Sequence, residues 1–136
     1  MLRVILAFVV VVSASVSAFA QSLPLPSYWT NELTSDMKLF PTNPPSPGKF
    51  SGLYWNNAAG FKCRASPTNP PYAVTGRNAG PDVTFTVVWN NGVQNCKTTT
   101  IWHGTVSGGT LTTHWVLFGP GVPRPIYGED IFQQQP

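Results

Sequence analysis

The sequence predicts an all-β fold, an eight-stranded antiparallel up-and-down β-barrel. Three observations carry this. No stretch keeps a helical apolar period over three turns. Eight short runs rich in β-branched and aromatic residues alternate with clusters of Pro, Gly and Asn, the pattern of a β-sandwich or barrel. Most of those clusters are short, so each run joins the next as a hairpin, and eight strands joined this way close around a lumen fit for one small ligand.

The domain begins after a leader. Residues 1–20, "MLRVILAFVVVVSASVSAFA", place basic Arg3 before an apolar run and end in Ala18-Phe19-Ala20, an A-x-A cleavage pattern. The apolar run is too short and too poorly flanked for a membrane span. We expect a signal peptide cut after Ala20, with an uncleaved anchor as the alternative, and a mature domain at 21–136 that is secreted or periplasmic.

The strands then follow in order. Residues 27–31, "SYWTN", put Trp29 and Asn31 on one face, since strand side chains alternate. Residues 36–40 form the second strand, with Ser35 just before it. In the third, 48–56, Phe50, Gly52, Tyr54 and Asn56 share a face. "SPTNPP" breaks the chain before the fourth strand at 72–77, where Arg77 in "TGR" suits a structural or interface role. In the fifth, 82–89, Phe85, Val87 and Trp89 align; an Asn-Asn-Gly turn leads to the sixth, 97–106, with Thr98, Thr100 and Trp102 on one face. The seventh, 110–118, aligns Leu111, Thr113, Trp115 and Leu117. The eighth, 126–132, carries Asp130.

In a meander, each odd strand ends at the mouth where the next even strand begins. Asn31, Ser35, Tyr54, Asn56, Trp89, Thr98 and Thr100 therefore gather at one mouth, with Trp102, Trp115 and Asp130 facing the same cavity. Aromatic walls with a few placed polar groups are the composition of a small-molecule site. Trp29 reads instead as a plug of the barrel. His103 and His114 alternate outward from Trp102 and Trp115, which leaves no imidazole on the inward face for a hydrolase and makes an enzyme the weaker reading.

Charge narrows the partners. Without Arg3, seven basic and five acidic side chains remain, scattered and netting +2, too little for a nucleic-acid footprint. Only 10% of residues are charged and 12% are aromatic, so neutral amides and hydroxyls carry the polar chemistry and suit a neutral polar ligand. Cys63 and Cys96 are an even pair in an exported chain, which suggests one disulfide across the rim, two buried thiols being the alternative. Neither His lies near a Cys-x-x-Cys pattern, so no Cys/His metal site is expected.

The ordered segments "YWTNELTSDM", "KFSGLYWN", "TGR", "FTVVWNN", "TTTIWHG", "TTHWVL" and "GEDIF" resemble the avidin–streptavidin family of biotin-binding proteins over about residues 27–132. That resemblance implies non-catalytic biotin binding without a cofactor. It implies ureido-carbonyl donors at Asn31, Ser35 and Tyr54, and an acceptor for one ureido N–H at Asp130. Asn56 stands where relatives often carry Ser or Thr, and its oxygen would accept the other N–H. Thr100 would approach the thioether sulfur and Thr98 the valerate carboxylate, with Trp89, Trp102 and Trp115 as walls. Tetrameric relatives carry a lid Trp before the last strand, but "GPGVPRPIYG" has none. The chain is similar in this to the disulfide-containing dimeric bacterial avidins, which implies a homodimer, with a tetramer as the alternative, and a Cys63–Cys96 bridge that stands in part for the missing lid. Lys97 and "CRASPTNPP" depart from the pattern at the carboxylate end. A lipocalin-like carrier is the rival reading; it requires a larger, mostly apolar cavity without the quartet Asn31, Ser35, Tyr54 and Asp130.

Overall fold

A computed structural model describes residues 22–136; the expected signal peptide and its cleavage site lie outside the described residues. The chain forms β1 (Ser27–Asn31), β2 (Asp36–Pro41), β3 (Lys49–Trp55), β4 (Tyr72–Ala79), β5 (Asp82–Asn90), β6 (Asn95–Ser107), β7 (Thr110–Phe118) and β8 (Ile126–Gln135). Each strand pairs antiparallel with the next, and β8 pairs back onto β1, so the sheet closes in sequence order. Closure leaves no unpaired sheet edge.

The expected boundaries shift where turn chemistry intervenes. Gly48 lies before β3 with φ +72°, and Asn56 falls one residue past its end. β6 starts two residues earlier than expected because Asn95 pairs with Asn90 beyond a bulge between Val88 and Asn90. Cys96 therefore sits on β6 rather than in the connection before it, and Lys97 takes a left-handed φ of 54°.

Alternation fills the lumen. Met37, Leu39, Phe50, Val74, Phe85, Val87, Leu111 and Phe132 are buried inward residues. Phe85 stacks on Trp102 at 4.7 Å, 9° from parallel, and Phe132 meets Phe85 edge-on at 5.9 Å. Trp29 is 1% exposed and its Nε1–H donates to Ser27 Oγ at 2.7 Å, so this end of the barrel is plugged as expected with its one indole donor satisfied. Packing at that end confines any ligand to the opposite mouth.

Candidate ligand-binding site

The β1–β2 hairpin builds the first polar wall. Asn31 N–H donates to the Ser35 carbonyl and Thr34 N–H to the Asn31 carbonyl, both at 3.0 Å, with Thr34 at φ 64°. Asn31 Oδ1 accepts from the backbone N–H of Leu33 and Ser35 at 3.0 and 2.9 Å, an Asx-type turn that fixes the amide. Its Nδ2 points to Tyr54 Oη at 3.5 Å. Ser35 Oγ accepts from Asn57 N–H at 2.9 Å, and its own proton reaches Asn56 Oδ1 over a long 3.4 Å.

These groups line a cavity of about 150 Å³ at the barrel mouth, together with Tyr54, Asn56, Trp89, Thr100, Trp102, Trp115 and Asp130. Nine of the ten residues singled out from the sequence are thus brought together. Thr98 is not among them. It is 4% exposed and lines a neighbouring rim groove of about 380 Å³ with Lys62, Gln94, Lys97 and Gly121. Phe61 lines both spaces. Thr98 Oγ1 and Trp115 Nε1 are buried without a hydrogen-bond partner among the described residues.

Aromatic contacts fix the walls. Trp89 meets Tyr54, Tyr72 and Phe61 edge-on at 5.7, 5.0 and 5.0 Å, and its Nε1–H donates to Thr100 Oγ1 at 2.8 Å. With its oxygen accepting from Trp89, the Thr100 hydroxyl keeps its proton to donate. Trp115 lies across Gly128, its register partner on β8. A Cβ added at Gly128 would come within 2.2 Å of the indole ring. Gly128→Ala is expected to lower stability by about 1–3 kcal/mol through this overlap, measured by denaturant unfolding; an unchanged midpoint would show that Trp115 has room to shift.

Electrostatics separates donors from acceptor. Burial pushes the Tyr54 hydroxyl well above its ordinary range, and the neighbouring Asp130 charge adds to this, so Tyr54 stays an O–H donor. Asp130 is 5% exposed, and burial raises its carboxyl to about 6. The Trp102 hydrogen bond to Oδ2, at 2.8 Å, opposes that rise, while the Glu32 carboxylate reinforces it. Glu32 sits nearby because its Oε2 accepts from Ile131 N–H at 2.9 Å, beyond the end of β1.

Asn56 is more engaged than the sequence reading supposed. Its Nδ2 donates to the Cys63 carbonyl at 3.0 Å, and Oδ1 accepts from Ala58 N–H at 3.1 Å as well as from Ser35. The amide thus ties the connection after β3 to the cavity floor. Cys63 and Cys96 form a disulfide, so the alternative of two thiols is set aside. Around the bridge, Asn69 Nδ2 donates to Gln94 Oε1 at 3.0 Å, Asn91 Nδ2 to Asn69 Oδ1 at 2.6 Å, and Gln94 Nε2 to the Lys62 carbonyl at 2.8 Å. Covalent and amide links together hold Phe61 against Trp89. The sequence reading missed Phe61, Leu33 and Ala58; the one available signal was an aromatic two residues before a rim cysteine.

A larger groove of about 470 Å³ lies on the outer wall, where Lys38 Nζ sits 4.8 Å from the Tyr28 ring and 5.3 Å from Trp55. Its Thr30 and amide donors are already engaged, Thr30 with Asp36, Asn57 with the Thr34 carbonyl and Gln135 with the Gln133 carbonyl. The mouth cavity is small and carries all four members of the polar quartet, opposite to what the lipocalin-like reading requires.

The sequence model described as the Avidin family matches residues 19–122. That match stops short of β8, so the place of Asp130 rests on the barrel's own register. The chain is similar to apo shwanavidin, with 33% identity and a TM-score of 0.73, covering 85% of this chain and 100% of that one. It is also similar to bradavidin2 in complex with biotin (33% identity, TM-score 0.69, 83% and 99% covered) and to rhizavidin in complex with biotin (34%, 0.70, 83% and 93%). No curated protein sequence matches. With the family model spanning most of the chain and these barrels alike over nearly their whole length, the chain belongs to the avidin family, whose members bind without catalysis or cofactor.

Proposed function

We propose that the chain binds one biotin in the mouth cavity. The observation that carries this is the convergence of three neutral donors, Asn31, Ser35 and Tyr54, with the acceptor Asp130, inside a cavity walled by three tryptophans, in a family with biotin complexes among its solved structures. A ureido group has the complementary pattern: one carbonyl oxygen with room for several donors, flanked by two N–H groups. Ser35 suits the role because its oxygen is already satisfied by Asn57 N–H, leaving its proton free to turn from Asn56 to the ligand. That turn would also release a lone pair on Asn56 for the second ureido N–H. Thr100 would meet the thioether sulfur.

The cavity of about 150 Å³ is smaller than the ~300 Å³ and upward of a whole drug-sized site. In this reading it holds the bicyclic head. The acyl chain leaves past Phe61, and the unpartnered hydroxyl of Thr98, beside Lys97, receives the carboxylate in the rim groove. Rigid, pre-satisfied walls lose little conformational entropy on binding. The handful of tightest non-covalent complexes includes biotin–streptavidin, which sets the ceiling for such a site rather than a value for this one.

Residues 1–20 and the disulfide fit a secreted or periplasmic protein. The loop at 119–125 carries no Trp to reach a neighbouring site, which favours a homodimer. A tetramer is the second reading, favoured by Ile126, Tyr127 and Ile131, all exposed on β8. Light scattering behind size exclusion separates the two by mass. The function is tested by titrating the oxidised protein, residues 21–136, with biotin, followed by tryptophan fluorescence and calorimetry. One biotin per chain with quenching is the expected result. A flat titration on folded protein with its disulfide intact would overturn the reading.

A further inference from the structure

The outer wall of the barrel carries a row of polar side chains in exact cross-strand register. Thr84 on β5 pairs with His103 on β6, His103 with His114 on β7, and His114 with Glu129 on β8. All three of His103, His114 and Glu129 are exposed. They point away from the lumen because Trp102, Trp115 and Asp130, one residue away on each strand, point in.

Directly opposed residues of an antiparallel pair hold their Cβ atoms about 4.5–5.5 Å apart, with side chains rising side by side. Two imidazoles on such a pair can bring one nitrogen each within the ~2.0–2.1 Å that a metal ion requires. Which nitrogen is free is fixed by the other ring atom. His114 Nδ1 lies 3.2 Å from Glu129 Oε1. A carboxylate only accepts, so Nδ1 carries the proton and, in the neutral ring, Nε2 carries the lone pair. His103 Nδ1 lies 3.0 Å from Thr84 Oγ1. A hydroxyl both donates and accepts, so this bond admits either tautomer of His103, and in the one where Thr84 accepts from Nδ1–H the lone pair lies on Nε2.

For His114 this is the outer-shell arrangement found around metal-ligating histidines, where the second ring nitrogen is held by a carboxylate, a carbonyl or water; for His103 the Thr84 hydroxyl takes that place. Here the carboxylate also places a negative charge beside the pair. No three His, Cys, Asp or Glu side chains converge as ligands among the described residues, so the pair would bind through two nitrogens with water completing the shell. Two imidazoles without thiolate suit late first-row divalent ions, with affinity rising toward Cu²⁺.

We propose that His103 and His114 form a bidentate surface site for a divalent late transition-metal ion, oriented by Glu129 and Thr84 and separate from the mouth cavity. The two histidines stand eleven positions apart in the chain, and the β6–β7 register joins them.

The test is a Cu²⁺ titration of the oxidised protein, residues 21–136 without an added polyhistidine tag, read by calorimetry and by electron paramagnetic resonance. The expected result is one Cu²⁺ per chain, with a nitrogen hyperfine pattern from two imidazoles. His103→Ala and His114→Ala should each weaken binding at least about tenfold and leave a one-imidazole spectrum. Glu129→Ala, which removes only the outer-shell partner, should weaken it by about tenfold while keeping both nitrogens. Both histidines are exposed, so all three variants should keep the wild-type circular dichroism and thermal midpoint. Equal affinity in wild type and both His variants, or a spectrum without two nitrogens, would overturn the proposal.

Discussion

Asp130→Asn is expected to make the protein more stable and a poorer binder of biotin at the same time. The folded carboxyl titrates near 6 rather than at its ordinary 3.8, because burial disfavours its charge. The folded state thus holds its proton more tightly than the unfolded chain does. Stability from this group is fully present below about pH 4 and is lost as pH rises to about 6, amounting to about 3 kcal/mol. Asparagine carries no charge to bury, and its Oδ1 can still accept from Trp102. At pH 7.5 the ligand-free variant should therefore melt up to roughly 10 °C higher than wild type, with the gap closing near pH 4. Binding should move the other way. Exchanging a charged acceptor for an amide, whose NH₂ opposes a ureido N–H, should weaken biotin about a hundredfold, or ~3 kcal/mol. Wild-type affinity should also decline as pH falls through 6, because protonation removes the charged acceptor. Thermal scans and calorimetry between pH 4 and 8 check all of this. A stability gap that persists at pH 4 would detach the burial cost from Asp130.

Replacing both Cys63 and Cys96 by serine should lower stability by about 3–4 kcal/mol, the chain-entropy value for a loop of this size. The second effect is on the rim. Without the bridge, the connection carrying Phe61 is held by hydrogen bonds alone, among them Asn56 to the Cys63 carbonyl, Gln94 to the Lys62 carbonyl and the amide links among Asn69, Asn91 and Gln94. We expect biotin to leave at least about tenfold faster, with a smaller change in its rate of arrival. Phe61→Ala separates the two effects, since Phe61 is only partly buried and packs at the edge of the core. It should raise the off-rate by a similar factor and leave most of the stability in place. Denaturant unfolding and competition kinetics supply the numbers. If the double serine variant lost stability but kept the wild-type off-rate, the bridge would play no part in closing the site.

Much of the barrel and its lining was legible because both rest on a period of two. Trp29 and Asn31, or Phe85, Val87 and Trp89, declare a common face by spacing alone, and the hairpin order then carries the mouth residues together. The rest depended on features without a period. Phe61, Leu33 and Ala58 sit on connections, where no alternation says which way a side chain points. Thr98 obeyed its alternation and is buried with Thr100, yet it stands nearer the rim and outside the cavity wall. Asn56 looked like a free acceptor, but its bonds to Cys63 and Ala58 come from a loop whose path the sequence does not encode locally. The His103–His114 pair was hidden for a related reason: each residue looked like an ordinary outward position until the strand register set them side by side.

The pairing of β8 with β1 also orders events in time. Tyr28 lies opposite Gln135 and Asn31 opposite Phe132, partners separated by about a hundred residues. Contacts that distant form late, after the nearer hairpins have lowered the entropy of bringing the ends together. A chain emerging N-terminus first from a translocation pore would show β1 long before its partner arrives, and would have to keep that edge soluble meanwhile. The cavity shares this schedule, since Asn31 and Asp130 come from opposite ends of the domain. Ligand capture would then act as a readout of completed folding: a partly emerged chain could build β2 to β7 and still lack the acceptor that β8 delivers.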